Sequence, residues 1–169
     1  MTKTAQKNAL VGADADPRSA GKTAYMEALR LIERLHRRML DVIKAELDKR
    51  GVSDINSVQA LLLYNIGDNE MTAGELRSRG YYMGSNVSYN LKKLVEGGYI
   101  EHERSLHDRR SVRIRLSDKG QMICGLLDAL YSAHVGEFAG EESGLKALRE
   151  MNTALQALER FWSDKIRII

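Results

Sequence analysis

The chain has 169 residues, 43% of them hydrophobic and 29% charged, with a net charge of +3. That is enough for one packed domain, or for a domain carrying an added oligomerisation region. Its single cysteine excludes an intrachain disulfide and suits a reducing cytoplasm, and no apolar stretch reaches the length needed to span a membrane.

Residues 1–20 lack a secretory hydrophobic region and read as a flexible tail of small and polar residues, including the only proline, Pro17. From about Gly21 to Lys49, Ala28, Leu31, Ile32, Leu35, Met39, Val42, Ile43 and Leu47 form one apolar stripe at helical spacing, with Gly51 beyond its end. Asp54 or Asn56 caps a second helix carrying Val58, Leu61, Leu62 and Ile66, which Gly67 stops. Thr72-Ala-Gly-Glu75 has the form of a capping box, so a short helix is expected from Thr72 to about Arg79.

After the turn Gly80-Tyr81-Tyr82-Met83-Gly84, Ser85 is the expected cap of another helix. It sets Val87, Leu91, Leu94 and Val95 on one face, and Gly97-Gly98 ends it. At roughly 100° per residue the opposite face presents Ser85, Tyr89, Lys92, Lys93 and Glu96, with Asn86 at its flank. That face is polar and mostly cationic.

Two short strands follow. Val112, Ile114 and Leu116 alternate with Arg113 and Arg115, as a half-buried strand requires, and Tyr99 to Arg104 is the partner. The connection SLHDRRS is too long for a two-residue turn, so it is expected to project, with Asp108 bonding a neighbouring amide or arginine to hold its shape. Such a hairpin suits insertion into a nucleic-acid groove, although a solvated hairpin whose charges keep an edge strand soluble has the same composition. Residues 72–119 hold ten Lys/Arg against six Asp/Glu, hence +4, which leaves −1 for the remainder. Phosphate attraction needs only such local charge.

Ser117 caps a long helix with Ile123, Leu126, Leu127, Leu130 and Phe138. In the last helix Leu148, Met151, Leu155, Leu158 and Trp162 alternate spacings of three and four, the seam of helices packed side by side.

Helix, turn, helix and basic ribbon, in that order, resemble the MarR family of bacterial transcriptional regulators. The wing carries the family pattern D-x-R, five residues, then Leu-Ser/Thr-x-x-Gly: Asp108-Arg109-Arg110, followed by Leu116-Ser117-Asp118-Lys119-Gly120. The run Tyr-Tyr-Met-Gly-Ser-Asn-Val-Ser is similar to the LdtR-like subgroup of alphaproteobacteria. The chain departs from the family in the turn, where Gly80-Tyr81-Tyr82 stands for Leu-Gly-Val or similar, and at Tyr89, a commonly basic position. Operator preference is therefore not transferable.

The fold implied is mainly α with a small β-hairpin wing: a winged helix-turn-helix over residues 53–117, flanked by long dimerisation helices at 21–52 and 118–169. The long terminal helices carry more apolar surface than a module of about 65 residues needs, which predicts a homodimer whose two modules, about 34 Å apart, read a pseudo-palindrome in double-stranded DNA; a monomeric helical bundle packed on the module is the alternative. The resemblance maps Ser85, Asn86, Tyr89, Lys92 and Lys93 onto the recognition helix, and makes Arg110 the wing-tip arginine, with Arg109 as understudy and Asp108 orienting it. It also implies release by a small aromatic or anionic effector between module and dimerisation helices, where His36, Met39 and Tyr64 are the candidate lining groups. A winged helix that binds protein without sequence-specific DNA contact is the alternative.

No cofactor, metal site or enzyme activity is expected. The histidines His36, His102, His107 and His134 lie far apart, without metal-ligand spacing, and no nucleophile or phosphate-loop motif occurs. Cys124 reads as a small buried apolar residue rather than a redox sensor.

Overall fold

The computed structural model describes residues 17–67, 71–72, 75, 84–104 and 112–167. The tail at 1–16, most of the helix expected from Thr72 to Arg79, and the wing loop 105–111 lie outside these residues. Contacts divide the chain into two compact units, Met1–Val42 and Ile43–Ile169.

Helix α1 spans Pro17–Lys49. It begins four residues before Gly21, at a proline, a residue well suited to the first helical position because its fixed φ is already helical. Along its apolar stripe in the first unit, Leu31 and Leu35 are exposed, while Ala28, Ile32 and Met39 are half-buried.

The second unit is built on α2 (Ser57–Ile66). The sequence left two residues to cap it, and the structure assigns the cap to Asn56. Its side chain accepts from the Gln59 amide at 2.9 Å, and the Gln59 side chain accepts from the Asn56 amide at 3.0 Å, a reciprocal capping box. Ala60, Leu62, Leu63 and Ile66 are all buried, so α2 is enclosed on most of its circumference and forms the centre of the core. Helices α3 (Gly84–Glu96) and α4 (Asp118–Ala139) and strand β3 (Val112–Leu116) pack against it, and strands β1 (Met71–Thr72) and β2 (Ile100–Arg104) pair with β3. Helix α5 (Glu142–Arg167) packs on α4.

The expected hairpin is present, in the register Ile100↔Leu116 to Arg104↔Val112, with Ile114 and Leu116 buried and Arg113 and Arg115 exposed. The ribbon is not alone, however. Thr72 and Met71 form β1, paired with Arg113 and Ile114, so the sheet has three strands in the order β1-β3-β2. A two-residue strand has no periodicity to detect. Thr72 therefore lies in extended backbone, as an N-cap residue also does, and Glu75 is helical. Helix α3 in turn opens at Gly84, which places Ser85 in its first turn rather than at the cap.

The end of α3 shows how the chain turns from helix into wing. Gly98 takes φ +73°, the Gly98 amide bonds the Val95 carbonyl at 3.0 Å, and the Tyr99 amide bonds the Leu94 carbonyl at 2.9 Å. This is the paired Schellman arrangement, and it satisfies carbonyls that a helix end leaves open. Ser117 caps α4 by accepting from the Gly120 amide at 3.2 Å. The glycine of the Leu-Ser-x-x-Gly pattern has a steric cause, because a Cβ at Gly120 would run into the Tyr99 carbonyl oxygen. Gly120→Ala is expected to cost about 1–3 kcal/mol as that close approach is forced apart, measured as a lower urea midpoint at unchanged slope.

Candidate nucleic-acid interface

Amphipathicity aims α3. Leu91 and Leu94 are buried in the core and Val95 is half-buried, which turns Tyr89, Lys92, Lys93 and Glu96 to solvent, Tyr89 at 62% exposure. Ser85 and Asn86 belong to the first turn of the same helix by backbone. The face is not a bare array of cations: Glu96 receives Lys93 at 3.0 Å and Lys92 at 3.8 Å. The hydrogen bond with Lys93 is the leading cause that lowers the Glu96 carboxyl below its ordinary pKa, and the same bond raises the Lys93 ammonium. In binding a phosphate either lysine exchanges one anionic partner for another. Asn90, which the helical pattern did not single out, is buried beside Leu91 in sequence.

The outer face of the wing stem carries mixed charge, with Arg113 and Arg115 of β3 standing opposite Glu103 and Glu101 of β2. Arg113 and Arg115 are exposed, and Arg115 meets Glu101, its cross-strand partner, at 2.7 Å. Asp108, Arg109 and Arg110 lie outside the described residues, as do the side chains of Ser85 and Asn86.

Where α3, β2 and α4 meet, Tyr99 is buried at 2% exposure. Its hydroxyl donates to Asp54 at 2.6 Å, and the Lys119 ammonium lies 4.0 Å from its ring centroid. Lys119 also bonds Asp54 at 2.7 Å and the Gly97 carbonyl at 3.1 Å. Beside it the Ser117 hydroxyl donates to the Gly98 carbonyl at 2.6 Å, and the Ser117 amide to the Tyr99 carbonyl at 3.1 Å. Sequence reasoning missed this cluster. Asp54 had been weighed only as a helix cap and Tyr99 only as a strand residue, and partners 45 and 65 positions apart leave no periodic signal.

The candidate effector residues belong to both units. His36 is exposed and Met39 half-buried in the first unit. Tyr64, in the second, is half-buried and meets Tyr131 edge to face at 5.1 Å, a packing role. A separate cleft of about 410 Å³ is lined by Arg50, Val52, Met122, Ile123, Leu126 and Ala129, largely apolar with one guanidinium at its wall. Cys124 is half-buried. Among the described residues no helix is long and apolar enough to cross a membrane, and no three His, Cys, Asp or Glu side chains gather as a metal site would require.

Comparison with known proteins gives a consistent picture. A winged helix DNA-binding domain model matches residues 55–120. Over 146 residues, 85% of this chain and 74% of the relative, the sequence is 42% identical to the exopolysaccharide II synthesis transcriptional activator ExpG of Rhizobium meliloti (strain 1021). The fold is similar to Streptococcus pneumoniae FabT crystallised in complex with DNA, with a TM-score of 0.67 and 24% identity over 83% of this chain and 98% of that one. It is also similar to a MarR transcriptional regulator from Methanosarcina mazei Go1, with a TM-score of 0.63 and 20% identity over 85% and 99%.

The junction has a pH signature. The hydrogen bond from Lys119, then that from Tyr99, holds the Asp54 carboxyl below its ordinary pKa. A carboxyl depressed in the folded state adds stability above its unfolded pKa and loses it as the pH falls through the folded value. The stability difference between wild type and Asp54→Asn is therefore expected to be full at neutral pH and to shrink in acid, as read from urea unfolding across that range.

Proposed function

This chain belongs to the MarR family of winged-helix transcriptional regulators, and from that premise we propose that it binds pseudo-palindromic operators as a homodimer and releases them in response to a small molecule. It is a DNA-binding regulator rather than an enzyme. The observation that carries the finer reading is the outward face of α3, where Tyr89, Lys92 and Lys93 are exposed. In this reading Ser85, Asn86 and Tyr89 offer hydrogen bonds to base edges and phosphates, and Lys92 and Lys93 serve phosphates. Arg110, with Arg109 beside it and Asp108 as orienting partner, enters a narrow minor groove where negative potential is concentrated. Residues 53–117 read DNA, while 21–52 and 118–169 join the two copies.

Unsatisfied apolar surface supports the dimer. Phe138 and Ile166 are 64% and 72% exposed, and the seam residues Met151 and Leu155 remain open in a single chain. Helices of this length and exposure match the surface of a second copy. Both repression and activation remain within the proposal, and the name of the 42%-identical relative, an activator, supports the latter. For the effector, an aromatic acid suits the apolar cleft with Arg50 at its wall; His36, Met39 and Tyr64 are candidates by family resemblance alone.

Light scattering at micromolar concentration is expected to give twice the 19.0 kDa chain mass; a monomer would remove the dimer. On a duplex enriched by the protein from a randomised pool, affinity is expected to fall steeply with salt through counterion release. Arg110→Ala is expected to weaken binding by about 1–3 kcal/mol at matched salt, and an unchanged affinity there would refute the wing-tip assignment.

A further inference from the structure

Stability alone does not account for the ion pair in the cluster of Asp54, Tyr99 and Lys119. The Lys119 and Asp54 side chains are 43% and 56% exposed, and exposed ion pairs contribute little to folding. What the cluster does is tie three distant segments at one point: the loop between α1 and α2, the turn that ends α3, and the first turn of α4. Ser117 adds two further bonds from the start of α4 to Gly98 and Tyr99. The carboxyl end of α3 is thereby stitched to the amino end of α4 through side chains and backbone together. The angle between these helices decides where the outward face of α3 points, and α4 leads toward the surfaces proposed to join two copies.

We infer that Asp54, Tyr99 and Lys119 are positioning residues that fix α3 relative to α4 and so set the half-site spacing the dimer accepts. This rests on the regulator reading above. If the junction is loosened, each module still recognises its half-site, but the two are no longer held at one separation, and the advantage of binding both at once declines. Neither half-site chemistry nor the core beneath needs to change.

The test uses the full chain and a duplex enriched by the wild-type protein from a randomised pool, in three forms: complete, truncated to one half-site, and lengthened by one base pair between half-sites. That insertion adds about 3.4 Å and rotates one half-site against the other. Asp54→Asn keeps an acceptor for the Tyr99 hydroxyl and removes the charge facing Lys119. Tyr99→Phe keeps the ring and removes the hydroxyl. Both are expected to lose roughly tenfold in affinity for the complete duplex, to hold the half-site as wild type does, and to discriminate less against the lengthened duplex. Lys119→Arg, which retains the charge, is expected to keep the wild-type spacing preference. Parallel loss on all three duplexes, with the wild-type spacing preference kept, would make the cluster a fold stabiliser only and overturn the positioning role. An unchanged spacing preference in Asp54→Asn and Tyr99→Phe would also overturn it. A wild-type protein that enriches no sequence would instead refute the regulator reading, and the positioning role with it.

Discussion

Everything that touches DNA in the proposed complex hangs from the connection between α3 and the wing, and that connection is organised around Tyr99. The residue is buried in ring and paired in backbone. Its amide closes the Schellman end of α3, its carbonyl accepts from Ser117 at the start of α4, and its hydroxyl reaches Asp54. Gly98 is required because the chain must reverse there with positive φ, and Gly120 because α4 approaches the same carbonyl too closely for a Cβ. The short spacing between helix and strand thus follows from the tyrosine's packing, and the wing inherits its direction from it.

Much of this architecture was legible in the sequence, for identifiable reasons. The alternation of Ile114 and Leu116 with Arg113 and Arg115 gave the strand and its faces, Ser117 gave the start of α4, and the spacing of Leu91 and Leu94 turned Tyr89, Lys92 and Lys93 outward. These are local rules with a period of two or 3.6 residues. What escaped has no period. Strand β1 is two residues long and is defined by its partner, and the cap of α2 is Asn56, next to its first residue, while Asp54 bonds Tyr99 and Lys119. The candidate interface was legible for the middle and end of α3; the wing-tip residues rest on the family pattern.

The surface of the described chain has two characters. The α3 face carries cations tempered by Glu96, so its field is graded rather than maximal, in keeping with a net charge of only +3. The long helices instead leave Leu35, Phe138, Leu155 and Ile166 open to solvent. The polar face and the exposed apolar residues are thus carried by different elements. Substitutions on one are then free to vary without disturbing the chemistry of the other.

The strand order β1-β3-β2 also has a mechanical meaning. Strand β3 is flanked by ladders on both sides, so a pull on the wing is shared between β2, which continues from α3, and β1, which lies between α2 and α3 in the chain. Bending the ribbon away from the body would mean shearing two sets of backbone hydrogen bonds rather than one. The described stem of the wing, strands β2 and β3, is therefore braced on both sides of β3 rather than held by one ladder.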